Sequence, residues 1–228
     1  MDTLKEGSQM EALRLAGLPE SDARLAQFDL SVAEIHNQVI FPALQSAANV
    51  SPLAPKGASG RSMYDTGVQS LRSLLLPKGW SIAEADNVAR TVQRDRGIAI
   101  VFSKGNASTG LHGLTGSLTT GWPKGSAAFS NARATPPSGL ESVDPSGFNW
   151  FPKKGDRDEW DLWYLMYYPT ESEIRLELSA PTWQDNTGYP RGWNDNDRIL
   201  LPPIPTNPNS EIDDEEDSPI PDVPVEEL

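Results

Sequence analysis

The chain has no cysteine. That removes disulfides, thiolate zinc sites and cysteine nucleophiles together, and makes a reducing compartment the natural setting. Histidine is almost as scarce, with only His36 and His112. Neither H-E-x-x-H nor G-x-S-x-G occurs, so the signatures of zinc hydrolases and serine hydrolases are missing. No metal and no cofactor is expected. No stretch approaches the roughly 20 apolar residues needed to span a bilayer. The N-terminal sequence MDTLKEGSQMEALRLAGLPESD has no basic segment followed by an apolar core, the mark of a secretory signal. These absences predict a soluble cytoplasmic protein without membrane association.

Basic residues are missing from one place in particular. The net charge is −13, but nine of the 32 acids lie beyond Pro205, where there is no Lys or Arg. The remaining 23 acids face 19 bases, so the body carries only about −4. The acidity belongs to the tail, and a uniformly acidic body such as a DNA mimic is not indicated.

What is present suits one domain with extensions. Among 228 residues, 37% are hydrophobic, and the 20 Pro and 18 Gly cluster in loops and at the C-terminal end. The structured part can therefore bury a core. Met10–Ala16 reads as a short helix stopped by Gly17 and Pro19. Ser21 or Asp22 can cap a helical turn. Ser31 is a stronger start, because Glu34 three residues on completes a capping box ahead of Val32, Ile35, Val39 and Ile40. Pro42 is expected to kink or interrupt that helix before Leu44–Ala48. Residues 49–60 read as a linker. Ser62–Leu76 predicts a second amphipathic helix with Val68, Leu71, Leu74 and Leu75 on one side, stopped by Pro77-Lys78-Gly79. Trp80 and Ile82 open a first strand, and Val88–Val92 and Ile98–Phe102 flank a turn, QRDRG.

The stretch Trp160–Pro181 organises the rest. Its first arm alternates Trp160, Leu162, Tyr164, Met166 and Tyr168 with Asp161, Trp163, Leu165 and Tyr167. Apart from Asp161 both sets are apolar or aromatic, the pattern of a strand covered on two faces. Pro169 ends it and Thr170–Ser172 form the turn. The second arm alternates Ile174, Leu176 and Leu178 with Glu173, Arg175 and Glu177, which predicts a half-buried strand with a solvated charged face. Arg198–Leu201 supplies a last strand, cut off by Pro202-Pro203. The sum is α+β: N-terminal helices packed on a mainly antiparallel sheet of about five strands, with long loops and a disordered acidic C-terminal tail. The segments are 1–60 (helical segment and linker), 61–204 (core domain) and 205–228 (tail).

Several features bear on chemistry. His36 stands two residues after Glu34, a spacing that does not share a helix face, and reads as structural. His112 lies in a Gly-rich loop with seven glycines between Gly97 and Gly125. The backbone N–H groups of such a loop can cradle an anion, with Lys104, Lys124 and Arg133 nearby. The phosphate-binding pattern G-x-x-x-x-G-K-[ST] is broken after Gly110 by Leu-His. Asp161 and Glu177 lie on facing arms of the hairpin, and metal-dependent nucleases place acids on adjacent strands. The companion lysine of that pattern is missing, and the bland alternative is a solvated face with Arg175 between its Glu neighbours. Trp183, Tyr189 and Trp193 sit in a polar loop, either as exposed anchors for a partner or folded back on the sheet. In the tail, Asp213, Asp214, Glu215, Glu216 and Asp217 precede Ile220, Val223, Val225 and Leu228, spaced by prolines. That segment can add a strand or dock in a groove, or simply solubilise the chain.

LLLPKGW (74–80), GIAIVFSKGNASTG (97–110) and WDLWYLMYYPTESEIRLELSAP taken with RILLPP (198–203) resemble a loosely defined family of uncharacterised bacterial proteins found among mobile-element or phage-related genes. The resemblance spans about residues 60–203. It implies a bacterial or phage setting and a role in conflict between host and element, and it transfers no catalytic residue. The favoured reading is a non-enzymatic, macromolecule-binding accessory protein with a protein partner. The alternatives are a metal-dependent nuclease using Asp161 and Glu177, and a nucleic-acid-binding module using the Gly-rich loop with Lys104 and Lys124.

Overall fold

The structure is a computed structural model that describes residues 20–85, 88–123 and 160–206. The helix expected at Met10–Ala16, Lys124, Arg133 and the tail acids and apolar residues from Asp213 to Leu228 lie outside the described residues.

Residues 20–25 are helical. Ser21 and Asp22 do not cap that turn. Asp22 reaches forward and accepts from the Val32 N–H at 2.7 Å, while Ser21 donates to the Leu200 carbonyl at 2.9 Å. The capping box holds: the Ser31 hydroxyl accepts from the Glu34 N–H at the start of α1 (Val32–Glu34). Pro42 does not break the helical path. α1 passes into a π-helical stretch, Ile35–Ile40, and then into α2 (Phe41–Ala48). Pro42 has no N–H to give, and its ring would crowd the carbonyl four residues back; the wider turn just before it accommodates both. Helix α3 (Ala58–Leu75) starts earlier than its apolar spacing indicated, directly after Gly57.

Among the described residues the sheet has six strands, against an expectation of about five: β1 (Ser81–Ala85), β2 (Val88–Gln93), β3 (Ile98–Lys104), β4 (Asp161–Pro169), β5 (Glu173–Ser179) and β8 (Arg198–Pro205), in the order β1-β2-β3-β4-β5-β8. All pairs are antiparallel except β3–β4. A separate two-stranded ribbon, β6 (Trp183–Gln184) with β7 (Pro190–Arg191), lies in the loop before β8. Strand β8 runs through Pro202 and Pro203 to pair Pro205 with Glu173, so the prolines do not cut it off at Leu201. A register shift between Ile174 and Leu176 and its place at the sheet edge make them tolerable.

Both faces of the sheet are covered, as the two-sided β4 pattern requires. On one face Leu25, Phe28, Ile35, Val39, Leu71 and Leu75 from the helices pack on Ile100, Phe102, Leu165, Leu176 and Leu178. Phe102 stacks on Tyr167 at 5.2 Å, and α3 comes close enough to seat it because position 67 is glycine. On the other face Val92, Val101, Leu162, Tyr164 and Met166 are roofed by Leu118 and Trp193 from the loops. Asp29, in the left-handed region at φ 57°, ties the helices to the sheet. Its carboxylate accepts from Trp80 Nε1 at 2.8 Å and from Arg96, and Lys78 bridges its carbonyl and Glu34 at 2.6 Å each. Burial alone would raise the Asp29 carboxyl, but the hydrogen bonds from Trp80 and Arg96 hold it below its ordinary range.

Candidate functional site

Among the described residues, most of those singled out by sequence are engaged within the fold. The face carrying Glu173, Arg175 and Glu177 is not uniformly solvated. Glu177 is fully buried, and four donors surround its carboxylate. Oε2 accepts from Arg198 Nη2 at 2.6 Å and from the Gly110 N–H at 2.7 Å. Oε1 accepts from Ser179 Oγ at 2.8 Å and from Arg198 Nε at 3.3 Å. Of the expected surface pairing only Arg175 with Glu173, at 3.0 Å, is present.

This corrects two readings. The Gly-rich loop does hold an anion, but the anion is the chain's own Glu177. Gly110, at φ 72°, leaves no room for a Cβ against Arg175, so the loop lies directly on β5. Asn106 organises it further, accepting from the Ser108 and Thr119 N–H groups and donating to the Ser117 carbonyl. Lys104 ends β3 half-buried and His112 is exposed. The second correction concerns the carboxylate pair. Glu177 opposes Met166, five residues along β4 from Asp161 and of the other parity. The two acids therefore point to opposite faces of the sheet, about 17 Å apart along the strand at about 3.3 Å per residue. They do not form one metal site, and among the described residues no group of three or more metal-ligating side chains comes together.

The loop aromatics divide. Trp193 is buried, edge-on to Tyr164 at 6.0 Å, so it roofs the sheet and is not an exposed anchor. Burial pushes the Tyr164 phenol well above its usual range. Trp183 and Tyr189 are half-buried in the β6–β7 ribbon, with the Arg191 guanidinium 5.6 Å from the Tyr189 ring centre. Asp185 is the hub of this loop. Burial opposes its charge, but donors from Thr187, the Tyr189 backbone and Arg191 outweigh it and bring its carboxyl down to about 2.

A different place in the fold is concave. Between α3 and the β1 edge lies a groove of about 490 Å³, lined by Tyr64, Val68, Arg72 and Leu76 from the helical side and by Ile82 and Glu84 from β1. Leu76 and Ile82 are 41% and 48% exposed there. Arg72 lies in the groove wall with its side chain 16% exposed, and Glu84 Oε1 approaches its Nη2 at 2.9 Å. Glu84 thus pairs with Arg72 by charge, and among the described residues Nε and Nη2, the two donors of the side-on guanidinium fork, have no further acceptor.

The backbone of β1 adds to this. Ala85 pairs with Val88 only three residues on, a separation that only a hydrogen-bonded pair allows, and Ala83–Arg90 and Ser81–Val92 continue with the same parity. The N–H and C=O groups of Ile82 and Glu84 therefore point outward from the sheet, next to the groove. The opposite edge is treated differently. Ser21 and Arg24 donate to the outward carbonyls of Leu200 and Arg198, and Pro202, Pro203 and Pro205 present no N–H. Among the described residues one edge of the sheet is capped, and no such cap is seen on the other.

No family model, curated protein or solved structure matches this chain. The site is therefore defined by its geometry. Sequence reading missed it because Arg72 and Glu84 look like ordinary surface charges on a helix and a short strand. The one available hint was the apolar Ile82 on a strand with a solvated face.

Proposed function

We propose that this chain is a non-enzymatic, macromolecule-binding accessory protein whose docking element is the groove between α3 and β1. An extended segment of a protein partner adds a strand to β1, bonding to the outward backbone groups of Ile82 and Glu84 and placing alternate side chains in the groove. The observation that carries this reading is the contrast, among the described residues, between the capped β8 edge and the uncapped β1 edge beside a cavity. A protein partner is favoured over nucleic acid because Arg72 is the one basic residue among those lining the groove, too few for a phosphate backbone. The cytoplasmic setting, and an accessory role in a bacterial defence or mobile-element system, rest on the composition and on the resemblance of residues 60–203. Among the described residues no helix is long and apolar enough to cross a membrane.

The test is a selection of displayed random ten-residue peptides on the full chain, repeated on Ile82→Pro. That substitution removes one outward N–H and leaves the β1–β2 ladder intact. Enriched peptides should carry apolar residues at alternate positions and lose binding to Ile82→Pro. Peptides that bind both proteins equally, or no enrichment at all, would overturn the reading.

A further inference from the structure

The groove has a specific occupant within this sequence. Resting on the docking reading of the groove, we propose that residues 223–227 of the chain's own C-terminal segment add to β1 in cis, with a tail carboxylate on the Arg72 fork, and compete there with an external partner.

Three observations converge on this segment. The first is backbone parity. A strand added to β1 turns the N–H groups of alternate residues inward, and their side chains fall on the groove side with Ile82 and Glu84. In Val223-Pro224-Val225-Glu226-Glu227 the residues Val223, Val225 and Glu227 all have N–H groups, and Pro224 falls where the missing donor faces solvent. The same choice of parity places two valines and one carboxylate in the groove.

The second is chemistry. The groove offers exposed Leu76 and Ile82 for apolar side chains and, for a carboxylate, a side-on guanidinium fork without a hydrogen-bond acceptor. The planar fork takes both oxygens of a carboxylate, which an ammonium in its place would not do.

The third is reach and direction. β1 and β8 run the same way, because an antiparallel, an antiparallel, a parallel and two antiparallel steps separate them. The chain leaves β8 at the end of the sheet where Ala85 lies. Five inter-strand steps of about 4.8 Å make the crossing about 24 Å. Residues 207–222 can span about 53 Å. A segment arriving from that end and turning back along β1 runs antiparallel to it.

The experiment uses the full chain and tracks the amide exchange of Ile82 and Glu84, compared with Val223→Pro/Val225→Pro, which removes two inward donors without touching the described body. The expected result is exchange at least about tenfold slower in the unaltered chain, unchanged on dilution, and lost in the double variant. Peptides from the displayed-library selection should bind the double variant about tenfold more tightly, since a tail docked nine-tenths of the time weakens an outside ligand by that factor. Arg72→Lys, which keeps the charge and loses the fork, should release most of the protection. Equal exchange in both chains overturns the proposal even where selected peptides still bind, and then the docking reading stands without it. Protection that falls on dilution overturns it in favour of a tail from a second copy. Protection unaffected by Arg72→Lys overturns the assignment of the carboxylate.

Discussion

Arg198 reaches diagonally from β8 to β5 and grips both carboxylate oxygens of Glu177, with both side chains shut off from solvent. A pair this deeply desolvated is held by its geometry, and the N–H of Gly110 and the hydroxyl of Ser179 complete it. It fastens the glycine-rich loop to the sheet at the point where sequence suggested chemistry.

Glu177→Gln should therefore act on stability. It leaves the buried Arg198 with only the exposed Asp195, 3.8 Å from Nη1, as a counter-charge, at a cost of about 3–5 kcal/mol. In a chain of this size that is a fall in melting midpoint of about 10 °C, read by calorimetry or circular dichroism. A midpoint within about 2 °C of the unaltered chain would mean the pair is not formed.

Gly67→Ala should destabilise although alanine is the better helix former. A Cβ at position 67 would stand 2.1 Å from Phe102 Cε1, and Phe102 is itself held against Tyr167. Overpacking of this kind costs about 1–3 kcal/mol against the roughly 1 kcal/mol gained in propensity. A net loss in urea midpoint is expected, and a gain would show that Phe102 has room to move.

Acid should loosen the loop around Asp185. Its folded carboxyl is brought down to about 2 from an ordinary 3.8, so its contribution is present above about pH 4 and is lost as pH falls through about 2. Asp185→Asn should lower stability at neutral pH and make the unfolding free energy fall less steeply between pH 4 and pH 2. Parallel acid limbs for the two proteins would count against this account.

Truncation should find the edge of the body at Thr206. Its N–H and hydroxyl bond to the carbonyls of Ser172 and Glu171, and Pro205 pairs with Glu173. Ending the chain after Thr206 removes only the docked tail, worth about 1.4 kcal/mol, and should lower the melting midpoint by about 3–5 °C, whereas ending it after Leu201 also removes half of β8 and should lower it further.

Local signals carried the parts of the fold that local forces decide. The Ser31–Glu34 box, the turn closed by Gly97 and the two-faced alternation of β4 are each set within a few residues, and each was legible. What escaped depends on partners far along the chain. Glu-Arg-Glu on β5 alternates just as a solvated face does, and only Arg198, 21 residues on, turns Glu177 inward. Trp193 in a polar loop gives no local sign of the Tyr164 ring beneath it. The prolines of β8 read as a stop until an edge position frees them from donating. The docking groove was hidden for the same reason: Arg72 and Glu84 acquire meaning only when α3 is laid beside β1, and the outward parity of Ile82 is a property of the hairpin rather than of any residue.

The single parallel pairing, β3 with β4, has a consequence for how the molecule holds together. The segment before Gly105 and the segment after Trp160 meet there, by ladder bonds flanked by Gly105 N–H to the Tyr167 carbonyl at 2.8 Å and Asp161 N–H to the Gly97 carbonyl at 2.7 Å. The helices reinforce the joint by packing on Leu165, Leu176 and Leu178 across it. The seam and this packing together make the two halves one body. A single residue inserted in β3 would therefore throw two things out of register at once, the ladder to β4 and the row of side chains on which the helices rest.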